Sequence, residues 1–356
     1  MEQLAPLAYQ ESYDNAGLIV GDPATEITGV LVTLDATEAV IDEAISKNCN
    51  VVVAHHPIMF RGLKKLNGLG YVERAVIKAI KNDVALYAAH TNLDNVTGGV
   101  NFKIAEKLGL QNVQILAPKT GVLTKLVTFV PAADTQRVLD ALHAAGAGQV
   151  GNYVNCSFQV EGTGAYQAGP DTHPVLGDIG EYHQEAEHRI EVIFPTHQQG
   201  QLLTALRQAH PYEEVAYYLT PVANANQDVG SGAVGNLHEA MDGPTWLTYL
   251  KEKMGLALIR YTRLPDHAIS RVAVCGGVGS FLLPDAIRSG ANMFVTADYK
   301  YHEFFDADDR ISICDIGHYE SEVFTKDLIQ QHLAEKFATF AVILSETNTN
   351  PVRYFY

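Results

Sequence analysis

Three runs of β-branched and small apolar residues end in histidine, each with another cation-binding group beside it. His55 and His56 close VVVA, His90 and Asp94 follow VALYAA, and His318 and Glu322 follow RISICDIG. In open α/β sheets the carboxyl ends of strands line the ligand crevice, so groups far apart in sequence can meet there. Adjacent histidines leaving an extended strand point in different directions, which suits one imidazole for each of two ions about 3.5 to 4 Å apart. Helical structure after Ile316 would place His318 and Glu322 on one face, with Glu322 able to bridge both ions. His90 and Asp94 share that spacing in HTNLDNVTGG, whose Asn and Gly content predicts a loop with one residue a ligand and the other behind it. A single histidine among 14 is more often exposed or hydrogen-bonded than a ligand, but three such groupings after three strands point to a metal centre.

Imidazole and carboxylate donors without thiolate suit Zn, Fe or Mn, with Co and Ni also admissible, and exclude Cu(I) and Fe–S chemistry. Five or six protein ligands shared by two ions leave coordination positions open, which a closed structural site would not do, and water there can be made acidic near neutral pH. Arg61, Lys64 and Lys65 in PIMFRGLKKL follow the histidine pair closely. In so acidic a chain they read as a site for phosphate or another anion, against the alternative of a solvated face. The run GGVGS contains Gly276, Gly277 and Gly279, which either present N–H groups at a helix start or form a tight turn. Asp298 and His302 are candidates for proton transfer, equally able to cap a helix or satisfy a core donor, and no catalytic residue is assigned.

The elements that must position these groups follow βαβ grammar. Up to about residue 122, ITGVLVTLD, VVVAHH and VALYAAH alternate with the helical patterns ATEAVIDEAISKN and YVERAVIKAIKN, as in a mostly parallel sheet buried on both faces. RVAVCGG, MFVTADY, RISICDIGH and FAVILSE resume that grammar late in the chain, separated by helical segments such as PDAIRSG and ESEVFTKDLIQQHLAEKF. Between lies a repeat, KLVTFVPAADTQRVLDALHAAG matching RIEVIFPTHQQGQLLTALRQAH, each copy a strand, a Pro at its exit and an amphipathic helix. Further strands follow at VGNYVNCSFQV and EEVAYYLTPV, and EGTGAYQAGPDTHPVLGDIG between the copies reads as a long loop or flap. The expected organisation is an α/β metal-binding domain of residues 1–123 and 223–356, interrupted by a ferredoxin-like α+β domain at 124–222.

Bulk composition narrows the function. The 356 residues are 47% hydrophobic and 19% charged, a packed globular composition of about two domains. A formal charge of −16 argues against an extended nucleic-acid surface. The longest apolar runs fall far short of the roughly 20 residues that cross a bilayer, and MEQLAPLAYQESYDN has neither the basic start nor the apolar stretch of a secretory signal, so a cytoplasmic location is expected. Cys49, Cys156, Cys275 and Cys314 are widely spaced and read as reduced, mostly buried thiols.

Taken together, ESYDNAGLIVGD at 11 to 22, AHHPIMFRGLKKL at 54 to 66, HTNLD at 90 to 94, TADYKYHE at 296 to 303 and GHYESE at 317 to 322 resemble the NIF-three-like family, whose bacterial members are labelled GTP cyclohydrolase 1 type 2 homologues. HPYEEVAYY at 210 to 218 looks like the inserted domain of the longer bacterial members, similar to CutA and PII-like modules. The resemblance implies a dinuclear metal site at His55, His56, Asp94, His318 and Glu322, with His90 also on a motif position, inside a ring-shaped homohexamer built as a trimer of dimers. It further implies two divalent ions per subunit and a metal-dependent hydrolase acting on a nucleotide or other small phosphorylated substrate. The competing class is a non-catalytic metal-binding or regulatory assembly that recruits protein or nucleic acid. The same ligand set serves both, open coordination favouring the enzyme and the lack of a dedicated general base favouring the binder.

Overall fold

A computed structural model of the chain describes residues 1–355, which fall into two compact units, 1–117 with 228–355 and 118–227. The first unit opens with strands β1 (Gly17–Val20), β2 (Gly29–Asp35), β3 (Val51–His56), β4 (Ala85–Ala88) and β5 (Gln111–Lys119). Between them run helices α1 (Glu38–Ser46), α2 (Tyr71–Lys81), α3 (Thr91–Asp94) and α4 (Val100–Lys107). The second unit holds β6 (Leu123–Pro131), α5 (Thr135–Ala144), β7 (Phe158–Gln167), β8 (Tyr182–Pro195), α6 (Gln199–Ala209) and β9 (Tyr217–Val222). Strands β10 (Asn226–Met241), β11 (Arg260–Tyr261), β12 (Ile269–Val278), β13 (Met293–Ala297), β14 (Ser312–Asp315) and β15 (Ala341–Leu344) complete the first unit. They carry helices α7 (Gly243–Met254), α8 (Leu283–Arg288), α9 (His318–Glu322) and α10 (Thr325–Lys336).

In place of the single mostly parallel sheet expected, the first unit has two mixed sheets. One runs β1-β4-β3-β2-β15, parallel except for β1; the other runs β11-β14-β13-β12-β10-β5, with β12, β13 and β14 parallel, β10 antiparallel to β12 and β11 antiparallel to β14. The long strand β10 escapes sequence reading because glycines break its alternation. Gly232, at φ +67°, is one of them, and a Cβ there would come within 2.9 Å of Leu282. The parallel centres are legible because they are apolar on both faces: β2, β3, β13 and β14 are buried nearly throughout.

Local chemistry explains the helix boundaries. Thr37 caps α1 through Val40 N–H, and Asp242 caps α7, which has Pro at its first turn and ends on Gly255 in the left-handed conformation. ESEVFTKDLIQQHLAEKF is not one helix, since the chain breaks between α9 and α10 at Val323 and Phe324. No helix among the described residues is long and apolar enough to cross a membrane. All four cysteines are free, three of them buried.

In the second unit the sheet order is β7-β8-β6-β9, every neighbouring pair antiparallel. The two repeat copies form β6 with α5 and β8 with α6. Leu126, Val130, Val138, Leu142, Ile190, Val192, Phe194, Leu202 and Leu206 make its core. Strand β7 begins at Phe158, later than the Val150 start expected, because Gly148, Gly151 and Asn155 all take positive φ and turn the chain. EGTGAYQ, expected within a flap, belongs to β7; the loop is confined to 168–181.

Candidate metal centre

The C-terminal end of β3 carries His55 and His56, and its parallel register pairs Asp35, the last residue of β2, with His56. His56 donates Nδ1–H to Asp35 Oδ1 at 2.7 Å. The other imidazoles are held in the same way, His55 by Ala89 O, His90 by Asp14 Oδ1 and His318 by Asp298 Oδ2, each at 2.7 Å. With Nδ1 committed, each ring can turn Nε2 to a ligand, and a carboxylate behind an imidazole raises its basicity. Asp298 reaches its position from the left-handed region, at φ +57° just after β13, a conformation tolerated by Asp and concentrated at functional sites.

Glu322 occupies the middle. Its side chain is 4% exposed, and α9 sets it one turn after His318, as the spacing predicts. Oε2 lies 2.9 Å from His56 Nε2 and 3.0 Å from His318 Nε2. Oε1 lies 3.8 Å from His55 Nε2, which is itself 3.6 Å from Asp94 Oδ1. Each carboxylate oxygen therefore faces a different pair of donors. His90 and Asp94 flank a short helical turn where a loop is expected, and they part company: Asp94 groups with His55 and Glu322, His90 with His55 and His56.

Two observations test whether these residues suit a cation. His55 Nε2 and Asp94 Oδ1 are buried without a hydrogen-bond partner, an arrangement that costs about 1 to 3 kcal/mol per group unless something satisfies both. Three sets, His55/His56/His90, His56/His318/Glu322 and His55/Asp94/Glu322, each bring donor atoms within 4.8 Å of one another. The electrostatics agree. Burial pushes Asp94 well up, with the charge of Glu322 adding to it, whereas Glu322 is held well down, against its own burial, by His318, His55 and His56. Burial also opposes charging His56 and His318, yet Asp35 and Glu322 raise the first to about 10, and Glu322 and Asp298 raise the second to about 9. A cation among these donors would replace the positive charge that those protons supply. Buried His/Asp/Glu groups that can hold a metal ion are thus present.

Glycines keep the centre open. A Cβ on Gly277, at φ +62°, would lie 2.5 Å from Glu322 Oε1, and one on Gly276 would lie 3.1 Å from Glu322 Cγ. Their N–H groups go to Ser321 Oγ and Asn101 Oδ1, so these two glycines make room for Glu322 and do not present free donors to a ligand. A depression of about 710 Å³ lies over the centre, lined among others by His56, His90, Asp94, His318 and Glu322, with Tyr13, Phe60 and Tyr319 supplying aromatic surface. Asp298 lines it; His302 stands outside, exposed beside Tyr301 and Phe305.

Arg61, Lys64 and Lys65 are not brought to this depression. They follow β3 in an irregular exposed segment, and Lys64 and Lys65 line a separate surface groove with Ile19, Met59 and Leu63. The cation that does line it is Arg260, bonded to Tyr299 O and paired with the buried Asp315. Arg260, one of two arginines in ALIRYTR, carries no sequence signal. Asp14 and Asp35 carry no motif of their own, although Asp35 ends the strand neighbouring the histidine pair and that position is a usable clue; Asp298, a candidate for proton transfer, holds His318.

A model of the Duf34/NIF3 (NGG1p interacting factor 3) family matches residues 1–351. A Bacillus subtilis protein named GTP cyclohydrolase 1 type 2 homolog is 38% identical over 359 residues, covering 99% of this chain and 96% of the relative. A Staphylococcus epidermidis protein of the same name is 33% identical over 98% of this chain and 96% of its own. Among solved structures, a Bacillus cereus protein related to NIF3 is 37% identical with a TM-score of 0.87, covering 99% of this chain and 96% of that one. A Staphylococcus aureus protein is 30% identical with a TM-score of 0.79 and the same coverage.

Proposed function

We propose, from the premise that this chain belongs to the Duf34/NIF3 family, that it is a metal-dependent hydrolase of a nucleotide or other small phosphorylated substrate, built on two divalent ions held by His55, His56, His90, Asp94, His318 and Glu322. The observation that carries the two-ion reading is Glu322, whose two oxygens face separate donor pairs, His56 with His318 and His55 with Asp94. Zinc, iron or manganese is the class of ion that imidazole and carboxylate donors admit. When bound, such ions would supply Lewis acidity and acidify water near neutral pH.

The remaining work falls to the chain. Asp14, Asp35 and Asp298 hold three imidazoles in orientation, and Leu34, Cys275 and Ile316 give the depression an apolar wall. Burial pushes the Cys275 thiol up, so it stays protonated and acts as packing. A volume of about 710 Å³ suits a nucleotide-sized ligand; Tyr13, Phe60 and Tyr319 offer faces to a base, and Arg260 is placed to meet a phosphate. GTP is the first substrate to try, since the relatives carry it in their name. The second unit's β-α-β-β-α-β order supports a ferredoxin-like reading of the CutA/PII kind, and a homohexamer is the assembly proposed with it.

One observation favours a second reading, a metal-holding assembly without turnover. Asp14, Asp35 and Asp298 are committed to imidazoles and Glu320 accepts from Asn350, which leaves no dedicated base among them. The deciding experiment incubates metal-loaded protein with a panel of nucleotides and phosphate esters and follows loss of substrate. Turnover that needs metal and disappears in Glu322→Gln supports the hydrolase. Intact substrates throughout, with the metal retained, would leave the assembly.

A further inference from the structure

A second cavity lies wholly in the inserted unit, about 460 Å³ in volume and lined by no lysine, arginine or histidine. Phe129, Tyr166, Tyr212 and Tyr218 form its aromatic walls, in two edge-to-face pairs: Phe129 with Tyr218 at 5.8 Å between centroids and Tyr166 with Tyr212 at 6.0 Å. Its polar feature is the carboxylate of Glu187, a residue 8% exposed on β8. Tyr212 Oη donates to Glu187 Oε1 at 2.9 Å, while Oε2, which is not among the buried unpartnered atoms, is open to the cavity. Opposite Oε2 the partner strand β7 has Gly164, where a Cβ would stand 2.0 Å away, so the strand leaves space for the carboxylate. Glu213 and Glu214 add negative charge at the lining. Lys125 and Arg189 both pair with Glu191, and His210, whose ring packs on Tyr212 at 5.1 Å, is committed to Phe129 O and the Tyr212 N–H.

A carboxylate with one oxygen open to a cavity, beside aromatic faces and with no Lys, Arg or His in the lining, has the chemistry that recognises an ammonium group. We propose that this cavity binds an organic ammonium ion, with Glu187 accepting from its N–H groups and the rings of Tyr166, Tyr212 and Tyr218 stacked against its alkyl carbons. The cavity is small enough to favour a free alkyl mono- or diamine, and a lysine side chain offers the same chemistry. Its lining residues belong to the second unit and the candidate metal ligands to the first, so the proposal does not depend on the role of the metal centre.

The test is calorimetric titration of the full-length, metal-loaded protein in physiological salt with butylammonium, 1,4-diammoniobutane, Nα-acetyl-lysine amide, butanol and magnesium. The ammonium probes bind saturably and butanol and magnesium do not. Glu187→Gln weakens ammonium binding by roughly tenfold or more through loss of a charge-assisted bond. Tyr218→Ala, at a side of the wall that is already exposed, weakens it roughly two- to fivefold. Tighter binding of the diamine assigns the site to a free amine, and tighter binding of the acetyl-lysine amide to a protein lysine. Absence of saturable binding by every ammonium, equal binding of magnesium, or unchanged affinity in both variants overturns the proposal. Unaltered ammonium binding in Glu322→Gln keeps the result separate from the metal centre.

Discussion

Replacing Glu322 by glutamine leaves shape and volume nearly unchanged and removes the one negative charge shared by both halves of the centre. The carboxylate contacts His56 Nε2 at 2.9 Å and His318 Nε2 at 3.0 Å on one side and faces His55 Nε2 at 3.8 Å on the other. Whichever way the amide turns, one donor pair meets an NH2 group in place of an oxygen, and the two imidazoles whose Nε2 atoms lie 3.4 Å apart lose their counter-charge. Two charge-assisted contacts at about 1.5 to 3 kcal/mol each amount to roughly 3 to 6 kcal/mol, or about 10²- to 10⁴-fold in affinity. Both ions should weaken. Asp94→Asn, which touches the His55 side alone, should weaken mainly one. Metal per subunit is measured by plasma emission after dialysis of wild type and variants against a weak chelator, with circular dichroism as the control for folding. Near-normal content of both ions in a folded Glu322→Gln refutes the bridging role and the two-ion reading with it.

The residues behind the ligands make their own predictions. Asp35→Asn should lower metal affinity roughly 10- to 100-fold in a chelator competition while the fold holds, and an unchanged affinity would reduce Asp35 to packing. Gly277→Ala forces a side chain into the left-handed region and against Glu322, so it should lower both the melting temperature and metal content; a variant that melts and binds like wild type would mean that the turn relaxes. Glu43 accepts from Ser345, Thr347, the Glu346 N–H and Lys47, which together outweigh burial and hold its carboxyl at about 2, below the ordinary 4.5. A depressed folded-state pKa stabilises above pH 4.5 and loses that contribution as pH falls toward 2. After allowance for solvent screening this is worth about 2 kcal/mol, so urea unfolding between pH 5 and 2.5 should show a shallower acid limb in Glu43→Gln than in wild type; parallel limbs refute it.

That six side chains from three distant segments meet is legible in the sequence because each segment follows a strand that is apolar on both faces, and such strands share a carboxyl edge. The i,i+4 spacing of His318 and Glu322 is legible for the same local reason, since one helical turn aligns them. Behind the imidazoles the legibility ends. Asp14 reaches His90 from the irregular segment before β1 and Asp298 reaches His318 from the left-handed region, both placements that depend on folding partners. Arg61, Lys64 and Lys65 mislead because nearness in sequence after a strand says nothing about which way an irregular segment turns. The second unit was legible through its repeat, which encodes two copies of one strand–helix unit. The antiparallel margins of the two sheets were not, because β10 alternates poorly around its glycines and β11 is two residues long.

Glu322 bonds His56 across 266 positions of chain, and strand β2, which orders Asp35, has β15 at residues 341–344 as one of its two neighbours. At about 5 to 20 residues per second, a ribosome spends roughly 13 to 53 s between making the histidine pair and making the carboxylate that joins it. During that interval the nascent chain exposes paired imidazoles without their counter-charge, and the inserted unit has time to fold while the centre is still unfinished. An ion taken up by these donors would therefore arrive late in the life of the polypeptide, after Glu322 has been made and β15 has docked on β2.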